Sequence, residues 1–227
     1  MKKTSIILNS YNPNLFHAQM TMACIAAIKK FTDEEDYELI IVDNAPKDMI
    51  RDDYHIWNLD KDKYILSEED LGVYGAYNAG AEFAEGKYLV FIQSDVFVHE
   101  DWLPRLIEAI ENGFDYVFPQ QIPLTRKQVK SLYTSKQEDI KFGQRDAGMV
   151  MFKKDSFWKT GGWDARFKCF GETAMWVNAN EAGLQWTDKT GAIITHIMAA
   201  TNHSKDSKLW NKEQGNDAKL LKKYYGV

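Results

Sequence analysis

Two short runs of aliphatic and β-branched residues, Ser5-Ile6-Ile7-Leu8 and Tyr37-Glu38-Leu39-Ile40-Ile41-Val42, constrain the chain more than any other feature. Each stops at polar turn residues: Asn9 to Pro13 after the first, Asp43-Asn44-Ala45-Pro46 after the second. Runs of this length bounded by turn residues are buried strands. Between them, Phe16, Met20, Ala23, Ala27 and Phe31 recur at helical spacing through residues 15–31. A strand, a helix and a strand in that order close as a right-handed crossover with the strands parallel. The expectation is therefore an α/β fold, a mostly parallel twisted central sheet flanked by helices.

The rest of the chain extends this pattern. Residues 47–62 are charged and aperiodic, a loop or short helix, and Lys63-Tyr64-Ile65-Leu66 is a short strand. Residues 73–85 form a helix whose small residues allow close packing on the sheet. Tyr88-Leu89-Val90-Phe91-Ile92 is the most apolar strand; a helix over 102–111 and a strand over 115–118 follow. Residues 120–144 are polar, rich in Lys and Gln and without a period, as a loop beside a site or any solvated connection would be. Next come a strand at 148–152, helices at 155–159 and 171–182, a strand at 192–196, and a charged tail with a solvated helix through 220–225. With no repeat or linker, residues 1–227 read as a single domain, with a first half to about 100, a second from about 101 to 204, and a tail at 205–227.

A formal charge of -5 argues against nucleic acid as partner. It also means that an anionic substrate must bring a metal ion or meet local basic groups. Cys24 and Cys169 have neither metal-ligand nor disulfide spacing, and read as reduced thiols. The apolar run after Lys2-Lys3 is too short for a signal peptide, and no transmembrane segment is evident, so a soluble cytoplasmic protein is expected. Oligomeric state has no signature in the sequence.

Ligands of open parallel sheets bind beyond the carboxyl ends of the strands. Asn9 to Asn12, Asp43-Asn44 and Gln93-Ser94-Asp95 all fall there. Singly, each is an ordinary strand-ending loop; together on one edge they make a pocket. Further along stand Leu71-Gly72-Val73-Tyr74-Gly75-Ala76-Tyr77-Asn78-Ala79-Gly80, Gly148-Met149-Val150-Met151-Phe152, Gly161-Gly162-Trp163-Asp164-Ala165-Arg166-Phe167 and Phe170-Gly171-Glu172. In this order and spacing, from about Ser5 to about Ser204, the chain resembles the family-two inverting glycosyltransferases, which have the GT-A fold of nucleotide-diphospho-sugar transferases.

The resemblance implies a metal-dependent enzyme, a hexosyl- or deoxyhexosyltransferase of glycan synthesis. It would move a sugar from a nucleotide-sugar to a glycan or other acceptor hydroxyl, with inversion at the anomeric carbon. Ser10, Tyr11, Asn12, Asp43, Asn78, Gln93 and Ser94 would bind the nucleotide. Asp43 accepts hydrogen bonds only, which suits the N–H of uracil or thymine or the N–H pair of guanine, with UDP preferred over dTDP and GDP. Tyr11 would stack on the base or fill a strand end. Asp95 would hold Mn2+ or Mg2+ with the donor's diphosphate, since Gln93 stands where the family's paired-acid motif has its first carboxylate. His196, or His203 in its place, would be a further ligand. Glu172 would be the base that deprotonates the acceptor, with Asp164 its neighbouring substitute; the bland reading is an acid favoured by the helix dipole. Thr173 and Met175 stand where the family often has more acids. Trp163, Asp164 and Trp176 would line the acceptor site, core packing being the alternative for the tryptophans, and Arg145 would contact the diphosphate or form a surface ion pair. Two other functions fit less well. A weakened nucleotide-sugar-binding protein is suggested by Gln93, Thr173 and Met175. A sugar-nucleotide pyrophosphorylase would want a glycine-rich basic loop after the first strand, which residues 9–14 lack.

Overall fold

β1 (Thr4–Ser10) and β2 (Tyr37–Asp43) are parallel neighbours, buried along their whole length and joined by α1 (Leu15–Phe31). Asn14 caps α1, its side chain accepting the N–H of His17. The computed structural model describes residues 3–44, 63–124, 148–197 and 207–226, with backbone alone for 207–210. The large sheet continues with β3 (Lys63–Leu66), β4 (Tyr88–Gln93), β6 (Tyr116–Val117), β8 (Met149–Lys153) and β9 (Trp186–Thr187). Its order is β3-β2-β1-β4-β8-β6-β9, and only β8 runs against its neighbours. The mostly parallel central sheet expected from the sequence is present.

Alternation of side chains along the strands divides the core into two layers. Ile6, Leu8, Leu39, Ile41, Val90 and Ile92 meet α1 and the amphipathic α3 (Trp102–Glu111). Ile7, Ile40, Val42, Leu89 and Phe91 meet α2 (Gly72–Phe83) and α5 (Gly171–Glu181). A short helix, α4 (Lys154–Lys159), follows β8.

Strand register aligns the polar strand ends. Asn9 lies opposite both Val42 and Gln93, and Ser10 lies opposite Asp43. The three polar clusters therefore end on one line across the sheet edge.

The structure departs from the sequence expectation in several places. Residues 120–124 belong not to a loop but to a strand, β7 (Gln120–Leu124), which joins β5 (Val96–Val98) and β10 (Ile193–Ile197) in a second sheet of order β5-β10-β7. Pro123 is tolerated because β7 is an edge strand. The tail is also more than a solvated end: α6 (Ser207–Tyr224) buries Leu221 and Asp217 against the body of the protein. Among the described residues no helix is long and apolar enough to cross a membrane. Residues 47–62, Arg145 and His203 lie outside the described residues.

Candidate active site

At the end of β4 the chain does not leave the protein. Ser94 and Asp95 form a tight turn that carries it from the large sheet into β5 of the small one. The backbone carbonyl of Asp95 accepts the N–H of Ile197, and β10 runs antiparallel to β5 with His196 opposite Val96. This junction of sheets brings Asp95 Oδ1 to 3.4 Å from His196 Nε2, with both side chains buried. On the other side of the ring, Nδ1 lies 3.3 Å from Oε1 of Gln121, supplied by β7. A carbonyl oxygen there suits an imidazole protonated at Nδ1, which turns the Nε2 lone pair toward Asp95. Gly148 leaves room for the ring: a Cβ at this position would stand 2.8 Å from His196 Nδ1 and 3.1 Å from Val96 Cγ2. Gln93, just before the turn, and Ser94, within it, are half-buried.

Glu172 sits in the first turn of α5, half-buried, and the Tyr74 hydroxyl of α2 donates to its Oε2 at 2.5 Å. The same hydroxyl lies 3.2 Å from the carbonyl oxygen of Cys169. Burial above all, then the Glu172 charge and hydrogen bond, hold the Tyr74 phenol well above its ordinary pKa. Gly171 permits this approach, because a Cβ there would lie 2.6 Å from the Tyr74 ring. One helical turn along α2, Tyr77 is also buried, and its hydroxyl has no hydrogen-bond partner among the described residues. Burial pushes its pKa well up, and the charges of Glu172 and then Asp95 push it further. Both carboxylates thus lie within electrostatic reach of one hydroxyl.

The donor edge is built from the other clusters. Asp43 is fully buried and its Oδ2 accepts the hydroxyl of Tyr64. A carboxylate accepts hydrogen bonds only, so a ligand group meeting Asp43 must be a donor. Asn12 donates to Ser10 Oγ and accepts from the Thr21 hydroxyl, so these two residues shape the turn around half-buried Tyr11. The Tyr11 phenol is raised by burial first, then by the nearby charges of Asp70 and Glu213. Asn44 fastens the entry to α2, its amide donating to Asp70 and to the Gly72 carbonyl and accepting from Leu71 N–H.

Several residues singled out by sequence hold different places. Asn78, expected at the nucleotide, uses both ends of its amide on the backbone of Trp163: Nδ2 donates to the carbonyl at 2.7 Å and Oδ1 accepts the N–H at 2.9 Å. Trp163 is no acceptor platform; it is 3% exposed, packed among Tyr74, Tyr77 and Phe91. Trp176, half-buried, stacks on Tyr116 with ring planes 1° apart. Aromatic burial outweighs what the position in the motif suggested. Asp164 is held by Arg166 and by the Tyr225 hydroxyl, which together with backbone bonding outweigh its burial and keep its carboxyl below the usual aspartate range. Met175 is fully buried in the core, which accounts for the absence of an acid there. Sequence reading missed Tyr74, Tyr64 and Gln121. The first lies inside the glycine-containing motif at the start of α2, the second in a strand read only for packing, and Gln121 in a segment read as loop.

Comparison with known proteins now gives this geometry a class. The architecture matches the crystal structure of GalNAc-T7 with UDP, GalNAc and Mn2+ at a TM-score of 0.65, over 87% of this chain and 44% of that one, at 16% identity. That likeness defines the fold, GT-A. Residues 5–184 match the model of glycosyl transferase family 2, and the chain belongs to that family. Among curated relatives, glycosyltransferase AglE of Haloferax volcanii is 29% identical over 117 residues, 50% of this chain and 37% of its own length. The undecaprenyl-phosphate 4-deoxy-4-formamido-L-arabinose transferase of Proteus mirabilis is 26% identical over 124 residues, 52% of this chain and 36% of its own. A PGL/p-HBAD biosynthesis glycosyltransferase of Mycobacterium bovis is 35% identical over 101 residues, 43% of this chain and 39% of its own. The match thus spans well under half the length of each of these relatives.

Proposed function

We propose that this protein transfers a sugar, a hexose or deoxyhexose, from a UDP-sugar to an acceptor hydroxyl with inversion at the anomeric carbon, in glycan synthesis. The observation that carries the reading is the buried Asp95–His196 pair at the junction of the two sheets, with the ring fixed from behind by Gln121. One carboxylate oxygen and one imidazole nitrogen suit Mn2+, and suit Mg2+ less well. Among the described residues no group of three or more His, Cys, Asp or Glu lies together for a metal, so diphosphate oxygens and water would have to complete the shell. The UDP and Mn2+ in the GalNAc-T7 crystal support both the nucleotide and the metal. A divalent ion bound there supplies Lewis-acid neutralisation of the departing diphosphate.

The chain's own groups do the rest. Asp43, with Tyr64 beside it, accepts the N–H of the base, and Tyr11 flanks the ring. Gln93 and Ser94 offer hydrogen bonds to the ribose. Glu172, oriented by Tyr74, takes the proton of the acceptor hydroxyl as its oxygen attacks the anomeric carbon and the bond to the diphosphate breaks on the opposite face. Arg145 remains a candidate diphosphate contact.

The test is a thermal-shift screen of UDP-, dTDP- and GDP-sugars with and without Mn2+, since a ligand of the native state raises its stability. Turnover of the best donor by the variants then follows. Glu172→Gln should keep donor binding and lose roughly 10²–10⁴-fold in rate. Full activity in Glu172→Gln would remove the base assignment, and full activity of Asp95→Ala in chelator-treated buffer would remove the metal role.

A further inference from the structure

The proposed base stands at the start of α5, and what fixes that start is the C-terminal helix. Asp217 of α6 is 2% exposed, and its Oδ2 accepts three consecutive backbone N–H groups, from Lys168 at 2.9 Å, Cys169 at 2.6 Å and Phe170 at 3.0 Å. These residues run directly into Gly171 and Glu172. The middle one, Cys169, also holds its carbonyl 3.2 Å from the Tyr74 hydroxyl that binds Glu172. Asp217, the 168–170 turn, Tyr74 and Glu172 are therefore one connected polar unit. Around it, the Tyr225 hydroxyl donates to Asp164, the Arg166 guanidinium lies 4.2 Å above the Tyr224 ring, and Phe167 packs on Tyr225.

A carboxylate that collects three amides of one turn binds that turn as it would an ion: the bonds are charge-assisted and their geometry admits one conformation. A surface helix that only covered apolar residues would need no buried acid. A buried acid with its lone pairs on backbone amides is costly to misplace, so it sets where the turn can be. We infer that Asp217 is a positioning residue for the transfer reaction: through the 168–170 turn it holds Glu172 at the distance from the acceptor that proton removal requires. This rests on Glu172 being the base.

The variants Asp217→Asn, Asp217→Ala, Glu172→Gln and the double variant Glu172→Gln/Asp217→Ala test it. The probe is hydrolysis of the nucleotide-sugar that stabilises the protein most in the presence of Mn2+, and UDP with Mn2+ monitors donor binding. Asn keeps the shape and loses the charge, so kcat should fall about 3- to 10-fold in Asp217→Asn and about 10- to 100-fold in Asp217→Ala. The donor KM and the stabilisation by UDP with Mn2+ should stay within twofold. Hydrogen exchange should show lost protection of the amides of Lys168, Cys169 and Phe170. The double variant should be as slow as Glu172→Gln alone, because groups that act as a unit are not additive. A Glu172→Gln protein of wild-type rate removes the base and this inference with it. A slow Glu172→Gln beside an Asp217→Asn of unchanged kcat and unchanged amide protection overturns the inference alone, as does a double variant in which the two losses multiply. Where Asp217→Ala does not fold, Asp217→Asn decides between these outcomes.

Discussion

The His196 ring is confined on three sides, by Asp95, by Gln121 and by the bare backbone of Gly148. A methyl group at 148 would have to displace the ring, since 2.8 Å is inside any normal contact to carbon. Gly148→Ala is therefore expected to weaken Mn2+ binding in the presence of UDP by about 10- to 100-fold, the range found when a ligand's orienting partner is disturbed. A Mn2+ titration followed by thermal shift reads this directly; an unchanged midpoint would show that His196 is not a ligand. Tyr74→Phe is the corresponding change at Glu172. It keeps the ring packing against Trp163 but removes the bond to Oε2. The expected result is a kcat roughly 10-fold lower with donor binding unchanged, as for a base displaced by a fraction of an ångström.

At the scale of elements, Glu38 joins four segments. It sits on β2 and accepts from the Ser5 hydroxyl of β1 and from the N–H of Glu85 in the turn between α2 and β4, while Lys63 of β3 lies 3.0 Å from Oε2. Burial raises its carboxyl pKa, but the bonds from Ser5, Glu85 and Lys63 together win and hold it below 4.5. The folded value is thus below the unfolded one. The stabilisation is complete above the ordinary glutamate range and is lost as the pH falls through about 4.5 and then the depressed value. Glu38→Gln should cost roughly 1–2 kcal/mol at pH 7, a few degrees in Tm, with wild-type and variant curves converging once the pH is below the depressed value. Parallel curves down to that pH would mean that Glu38 is not charged in the fold. The burial of His99 works the same way in a higher window. It lowers the imidazole pKa below 6.5, so the fold loses stability as the pH drops below that value.

For the whole molecule, the relevant quantity is a coupling. A metal held by one acid and one histidine lacks most of its ligands until the diphosphate arrives, so Mn2+ and UDP should each raise the affinity of the other by the same factor. We expect at least about tenfold, measured by calorimetric titration of each in the presence and absence of the other; independent binding would contradict the proposed site. Asp95→Ala should abolish the coupling while UDP alone still binds through Asp43.

The sequence by itself determined the elements long enough to show a period. The helix over residues 15–31, the helix over 102–111 and the strand over 63–66 stand in the structure with those bounds. It also determined the line of polar strand ends, because parallel strands of fixed hand must finish on one edge. Tertiary structure alone decided the second sheet: β5 has three residues, too few for any pattern, and Pro123 disguised β7. That sheet is what brings His196 to Asp95, a pair expected only through the family resemblance, and Gln121 to His196, a partner that no pattern in the sequence indicated. The same holds for Asp217, one acid in a charged tail, whose bonds go to backbone amides 47 to 49 residues away. Trp163 and Asn78 took places that the motif did not indicate, because a motif fixes position along the chain but not direction. Burial of aromatic surface and satisfaction of backbone groups settle direction only once all the elements have packed.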